Sequence, residues 1–290
     1  MTLAELKSLC VKYHLNPSKQ YGQNYLISDA PIKKMIVAAE LSPDDTVMEI
    51  GPGFGILTFG LAPLVKKVIA FEIEKKLLSF WEAKQKEFPN IEIVWGNAID
   101  RIGNYELGIM KYKVIANLPY QITSRLLRTL LEMENKPERI IIMAQKEVAE
   151  RICAKPGDMS MLAVAVQYYG EPKIIAKVSR GNFWPSPRVD SAVLRIQTYK
   201  HSNIQTLKHK NIKTFADKLF FHIVRAGFAN KRKQLWHNLA SRLSLEKETV
   251  KNVLKEAVGN EKIRAEDLGV DDWLKIVDKL PDLPTYRATL

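Results

Sequence analysis

Apolar residues follow two periods in succession along the chain, and the change between them sets the expected architecture. Residues 1–15 have the spacing of a short amphipathic helix, and the polar stretch 16–26 that follows keeps no period. Apolar runs suited to buried strands then recur at Thr46–Ile50, Lys67–Ile73, Ile91–Gly96, Lys113–Leu118 and Arg139–Gln145, with helix-period segments between them. Such alternation predicts an α/β fold, a doubly wound parallel sheet with helices on both faces. After Gln167 the pattern gives way to two β-rich runs, Ile174–Ser179 and Ser191–Gln197. They flank residues 181–190, where Pro185 and Pro187 enforce an extended, stiff connection, so an antiparallel hairpin closing the sheet is expected. Beyond Lys200 the periodicity is helical, at about 211–228, 231–242, 246–257 and 271–280, with no strand run and no internal repeat. A boundary near residue 200 therefore divides the chain into 1–199 and a helical domain, 200–290.

Composition gives the helical part a purpose. The 290 residues suit a medium α/β domain plus a smaller one, and the net charge of +12 points to a polyanionic partner. The excess is uneven: residues 200–290 hold 18 basic and 11 acidic side chains, +7 of the total, which makes this segment a candidate nucleic-acid-facing domain. A solvated basic surface would carry the same charge. Cys10 and Cys153 have neither the number nor the spacing of a disulfide framework or a zinc site, and the histidines are scattered. No metal is expected, and a reducing cytoplasm is. No run is long enough to span a bilayer, and the opening segment lacks signal-peptide and transit-peptide character, so a soluble, unprocessed protein is expected.

Chemistry enters at Val47-Met48-Glu49-Ile50-Gly51-Pro52-Gly53-Phe54-Gly55, where the first strand should turn into its helix. Glycines there let the backbone bend tightly and approach a ligand at the carboxyl end of a strand. The spacing is G-x-G-x-G rather than the dinucleotide G-x-G-x-x-G, and Glu49 precedes it. A carboxylate at that place suits the amino group of a cationic amino-acid ligand better than a phosphate. A methionine-derived sulfonium fits better than a nicotinamide dinucleotide. The second strand ends in Phe71-Glu72-Ile73-Glu74, about twenty residues on, where Glu72 is placed to accept both ribose hydroxyls. Asn97 and Ala98 follow the third strand, where an amide side chain and a backbone N–H can read the edge of an adenine.

The fourth strand runs into Asn117-Leu118-Pro119-Tyr120. An adenine N6 is a poor nucleophile because its lone pair is delocalised into the ring. Accepting both amino hydrogens, on the Asn117 amide oxygen and the Leu118 carbonyl, would hold N6 nearer tetrahedral with its lone pair free for a methyl group. Pro119 would stiffen the loop, and Tyr120 offers a flat face for a flipped-out base. Phe183, beside stiff prolines, is a candidate for the opposite face. A plain strand-end turn and a hairpin-end core aromatic use the same residue types.

Taken together, Gln23-Asn24-Tyr25-Leu26, Glu49-Ile50-Gly51-Pro52-Gly53, Asn117-Leu118-Pro119-Tyr120, Gln145-Lys146-Glu147-Val148-Ala149-Glu150-Arg151 and the run 183–192 (FWPSPRVDSA) closely resemble the KsgA-type small-subunit rRNA adenine dimethyltransferases. The runs 228–233 (FANKRK) and 263–268 (IRAEDL) extend the resemblance through the helical domain. It implies a Rossmann-like methyltransferase domain using S-adenosyl-L-methionine, followed by a small all-α domain that grips rRNA. The implied substrate is a pair of adjacent adenines in a hairpin loop near the 3′ end of 16S-type rRNA, on an immature 30S-type subunit, with the enzyme acting as a monomer. Implied cofactor contacts are Asn24, Leu26, Gly51, Glu72, Asn97 and Asn117, joined by Glu49, Gly53 and Ala98 from the reading above. Asn117, Leu118, Pro119, Tyr120 and Phe183 would surround the target base, and Arg225, Lys231, Arg232 and Lys233 are the candidate RNA contacts. Two departures stand out: the family usually carries Asp where Asn97 stands, and a proline-containing stretch where Ser179-Arg180-Gly181 stands.

Three other functions share parts of this pattern. Erythromycin-resistance-type 23S rRNA methylases more often carry Ile between the Asn and Pro, against Leu118 here. A transcription-factor-like nucleic-acid-binding relative would not need an intact Asn117–Tyr120. A small-molecule methyltransferase would not need the basic helical segment.

Overall fold

The computed structural model describes residues 1–17, 22–103, 111–199 and 213–281, the side chains of 213–216 excepted. Its strands are β1 (Tyr25–Leu26), β2 (Thr46–Ile50), β3 (Lys67–Glu72), β4 (Ile91–Trp95), β5 (Lys113–Asn117), β6 (Arg139–Gln145), β7 (Gly170–Val178), β8 (Phe183–Trp184) and β9 (Ser191–Thr198). The helices of the first half are α1 (Leu3–Lys12), α2 (Asp29–Ala39), α3 (Thr58–Leu61), α4 (Leu78–Glu87), α5 (Ala98–Ile102) and α6 (Thr123–Glu132). Then come α7 (Lys146–Ile152), α8 (Met161–Tyr169), α9 (Lys213–Gly227), α10 (Leu235–Leu243), α11 (Lys247–Val258) and α12 (Val270–Lys279). The chain forms two compact units, residues 1–150 with 169–199, and 151–168 with 200–290.

The first unit is built on a seven-stranded sheet of order β4-β3-β2-β5-β6-β9-β7. Strands β2 to β6 are parallel, and β9 runs antiparallel to both β6 and β7. Every residue of β2 is buried, β5 is buried up to its last residue, Asn117, and β6 is buried except at its two ends, as strands covered on both faces require. The chain leaves β2 for β3 on one side and later returns to place β5 on the other. Between β2 and β5 the winding reverses, and ligands of open α/β sheets bind at the carboxyl ends flanking such a reversal.

Three features differ from the sequence expectation. The stretch 16–26 holds β1, which pairs antiparallel with β8, Tyr25 opposite Trp184 and Leu26 opposite Phe183; the connection through 181–190 thus contains a strand. Strand β7 begins at Gly170 and runs through Pro172, which is tolerated because β7 is the sheet's edge. Residues 231–234 form a turn, and α10 starts only at Leu235. The start of the helix expected at 211–228 lies, for 211 and 212, outside the described residues.

In the second unit α9 packs on α10 and α12, and α11 packs on α10 and α12. Its core includes Phe220, Val224, Leu235, Leu239, Leu254, Trp273 and Ile276. A methyl group on Gly227 would run into the Trp273 ring, so glycine is what lets the end of α9 seat that indole.

Candidate active site

The turn after β2 needs left-handed backbone three times, at Gly51 (φ 71°), Gly53 (φ 55°) and Gly55 (φ 79°), which L side chains adopt only with strain. The Tyr25 ring closes over this turn, 3.0 Å from where a Gly53 methyl would stand. A cavity of about 250 Å³ opens beside it at the ends of β2, β3 and β5.

All the first unit's candidate residues line this cavity. Asn24 and Leu26 come from β1 and the segment before it, Glu49, Gly51 and Gly53 from β2 and its turn, and Glu72 from β3. Asn97 and Ala98 open α5, Asn117, Leu118, Pro119 and Tyr120 leave β5, and Phe183 begins β8. Arg225, Lys231, Arg232 and Lys233 belong to the second unit, where all four are exposed. Their turn is held from below by buried Asn238, whose amide donates to the Gly227 carbonyl at 2.7 Å and the Asn230 carbonyl at 2.9 Å.

Glu72 is 4 % exposed and fixed by backbone amides: Ile73 and Glu74 donate to Oε1 at 2.8 Å each, and Gly53 donates to Oε2 at 3.0 Å. Burial pushes its pKa up against the pull of these three amides. The carboxylate is thereby oriented at the strand end, with Oε1 filled by two amides and about one lone-pair site left on Oε2, enough for one hydroxyl donor rather than the two expected from sequence.

Glu49 is buried inside β2, 2 % exposed, and its Oε2 has no hydrogen-bond partner. Burial, with the Thr58 hydroxyl opposing and the charge of Glu72 adding to it, pushes its pKa up to about 8. A buried carboxyl oxygen without a donor is costly, and a cationic amine placed at this cavity would supply both donor and counter-charge. That orphaned acceptor, the fixed Glu72 carboxylate and the open glycine turn fit the amino-acid and ribose parts of S-adenosylmethionine.

Asn97 takes a part the sequence did not indicate. It is the N-cap of α5, its Oδ1 accepting from the Ile99 amide at 3.1 Å, while its Nδ2 donates to Asp100 Oδ2 at 2.8 Å. Asn and Asp cap about equally well, so either residue at this position keeps the loop's shape.

Asn117 ends β5. Its Nδ2 donates to the Asn24 carbonyl at 3.3 Å, which leaves the amide Oδ1 as an acceptor. Pro119 has φ −57° and leads into a short turn through Tyr120, closed by Ile122 N–H donating to the Pro119 carbonyl at 3.2 Å. The Tyr120 hydroxyl lies 2.7 Å from Ser191 Oγ, and burial raises the phenol's pKa, so it stays neutral. Phe183 is 3 % exposed and packs with Leu26, Val178 and Val193 as well as lining the cavity. Tyr25, which the sequence offered only as a member of the Gln23–Leu26 run and without a role, and Asp100 owe their places to pairing with β8 and to the cap of α5. Neither has a local sequence signal of its own. Among the described residues no group of three or more His, Cys, Asp or Glu is placed to hold a metal ion.

A glycine turn and an acidic strand end beside an Asn-Leu-Pro-Tyr loop, set at the winding reversal of a parallel sheet, define a Rossmann-like S-adenosylmethionine-dependent methyltransferase. Comparison with known proteins makes this specific. Residues 14–282 match the ribosomal RNA adenine dimethylase family, and the chain belongs to it. A ribosomal RNA small subunit methyltransferase A of Dehalococcoides mccartyi is 37 % identical over 275 residues, 94 % of this chain and 92 % of that one. Its namesake in Clostridium botulinum is 37 % identical over 281 residues, 96 % of this chain and 98 % of the other. Among solved structures, a dimethyladenosine transferase from Plasmodium falciparum superposes with a TM-score of 0.71 at 27 % identity, covering 87 % of this chain and 95 % of that one. The 23S rRNA methyltransferase ErmE gives 0.69 at 26 %, covering 89 % and 99 %.

Proposed function

We propose that the protein transfers methyl groups to N6 of two adjacent adenines in the 3′-terminal hairpin loop of 16S-type small-subunit rRNA, acting in the cytoplasm as a monomer on an immature 30S-type subunit. The observation that carries the chemistry is the orientation of Asn117. With its NH2 committed to the Asn24 carbonyl, its Oδ1 is the group that meets an incoming amine.

S-adenosylmethionine supplies an activated methyl group bound to a sulfonium. Glu49 would accept from its amino group, Glu72 from its ribose, and Asn97 with the Ala98 amide would meet its adenine, with Asn24, Leu26 and the glycines forming the walls. On the substrate side, the Asn117 Oδ1 and the Leu118 carbonyl accept the two N6 hydrogens and draw the nitrogen toward tetrahedral geometry. Tyr120 and Phe183 present apolar faces to the extruded base, and Pro119 holds the loop. In the second unit, Arg225, Lys231, Arg232 and Lys233 contact the rRNA backbone.

A large-subunit substrate is the second reading, favoured by the close superposition of ErmE. Against it, relatives 35–39 % identical over most of the chain bear the small-subunit name, while ErmE is 26 % identical. Asn117→Ala tests the amine alignment: turnover should fall by about 100-fold or more, while S-adenosylmethionine and RNA affinities stay within a few-fold. Normal turnover in that variant would refute it.

A further inference from the structure

The run 183–192 ends in Asp190-Ser191-Ala192, and neither Asp190 nor Ser191 has a part in the transfer step. Ser191 is the first residue of β9, 0 % exposed, paired on one side with Gln145 at the end of β6 and on the other with Val178 at the end of β7. A hydroxyl in so dry a place is unfavourable unless bonded. Its partner is the Tyr120 hydroxyl, 71 residues away in sequence and 2.7 Å away in space.

Asp190 is tied to two further loops. Its Oδ1 accepts from the Arg180 amide at 3.0 Å, at the start of the turn that delivers Phe183. Its carbonyl accepts from the Lys146 amide at 3.0 Å, where β6 passes into α7. The turn to Phe183 is also closed locally, by Asn182 N–H donating to the Ser179 carbonyl at 3.0 Å and Ser186 Oγ donating to the Arg180 carbonyl at 3.1 Å, and its far end is held to β1 by Ile27 N–H donating to the Asn182 carbonyl at 2.9 Å, so Asp190 fixes its near end. Two consecutive residues thus tie both aromatic elements of the site to the same end of β9.

We propose that Ser191 and Asp190 are positioning residues for the target base: Ser191 holds Tyr120 through its hydroxyl and Asp190 holds the turn of Phe183, so the two residues fix the gap into which a flat purine fits. This inference rests on the adenine-methylating function proposed above. A ring anchored at its distal hydroxyl, which lies on the Cβ–Cγ axis, loses its swing about the Cα–Cβ bond, so the ring stays at one place in the site. Without the anchor the ring stays in the site but samples other placements, which lowers the fraction of bound bases aligned for transfer.

The test uses the full chain in four forms, wild type, Ser191→Ala, Tyr120→Phe and the double variant, assayed on unmodified small subunits. Each single variant should lower kcat about tenfold, the scale of one missing positioning hydrogen bond. KM for the subunit and S-adenosylmethionine affinity should stay within twofold, and the double variant should be no worse than Tyr120→Phe. Ser191→Thr, which restores the hydroxyl, should recover most of the rate. Thermal melting of each form reports folding separately. Unchanged kcat in Ser191→Ala overturns the proposal, as do fully additive losses or a parallel loss of cofactor affinity. A wild type that leaves adenine unmethylated would instead refute the function itself.

Discussion

A carboxylic acid in the middle of a buried strand, as Glu49 is in β2, sets a balance between folding and binding. Its pKa, raised from 4.5 to about 8, means that between those values the folded protein holds a proton the unfolded chain has released. Stability from this group is therefore fully present below 4.5, declines as pH rises and is lost as pH passes through about 8. Glu49→Gln should leave the melting temperature nearly unchanged near pH 5 and raise it near pH 9, flattening the pH dependence of the ligand-free protein. The same variant should bind S-adenosylmethionine about tenfold or more weakly, because a charge-assisted bond to the amine is removed. Calorimetry of melting and binding on one preparation checks both. A variant destabilised equally at the two pH values would show that Glu49 is ionised in the folded state.

Elements carry the site when their ends are fixed, and α5 is the clearest case. Asn97→Asp keeps an acceptor for the Ile99 amide and should melt like the wild type, whereas Asn97→Ala loses the cap and should cost about 1 kcal/mol in urea unfolding. An Asn97→Ala variant as stable as the wild type would contradict that role. The parallel strands were legible in sequence to within a residue: β3, β5 and β6 carry uninterrupted apolar runs buried on both faces, while β2 and the half-buried edge strand β4 keep apolar residues on either side of Glu49 and Glu92. Strands β1 and β8 were not, since two residues carry no period and their pairing is decided by contacts more than 150 positions apart. Gly170 and Pro172 hid the start of β7, as both discourage strands except at an edge, and edge position is a property of the whole sheet. The glycine turn, Glu72 and the Asn117–Tyr120 loop were legible because strand ends place them. The bond from Ser191 to Tyr120 and the cap made by Asn97 were not, because hydrogen-bond partners follow from tertiary geometry.

For the molecule as a whole, a charge of +12 only becomes a function if some of it meets phosphate. Reversing Lys231, Arg232 and Lys233 should weaken binding to small subunits and reduce the slope of log affinity against log salt by about 0.7 for each phosphate no longer neutralised. Unchanged affinity and slope would leave these residues as a solubilising surface. The central claim, transfer of methyl groups to adjacent adenines of small-subunit rRNA, is tested most directly by product mapping. Purified protein is incubated with labelled S-adenosylmethionine and, separately, small and large subunits lacking the modification, and the labelled positions are located. The account predicts two neighbouring N6,N6-dimethyladenosines near the 3′ end of the small-subunit rRNA and no label in the large; label confined to a large-subunit adenine would contradict it.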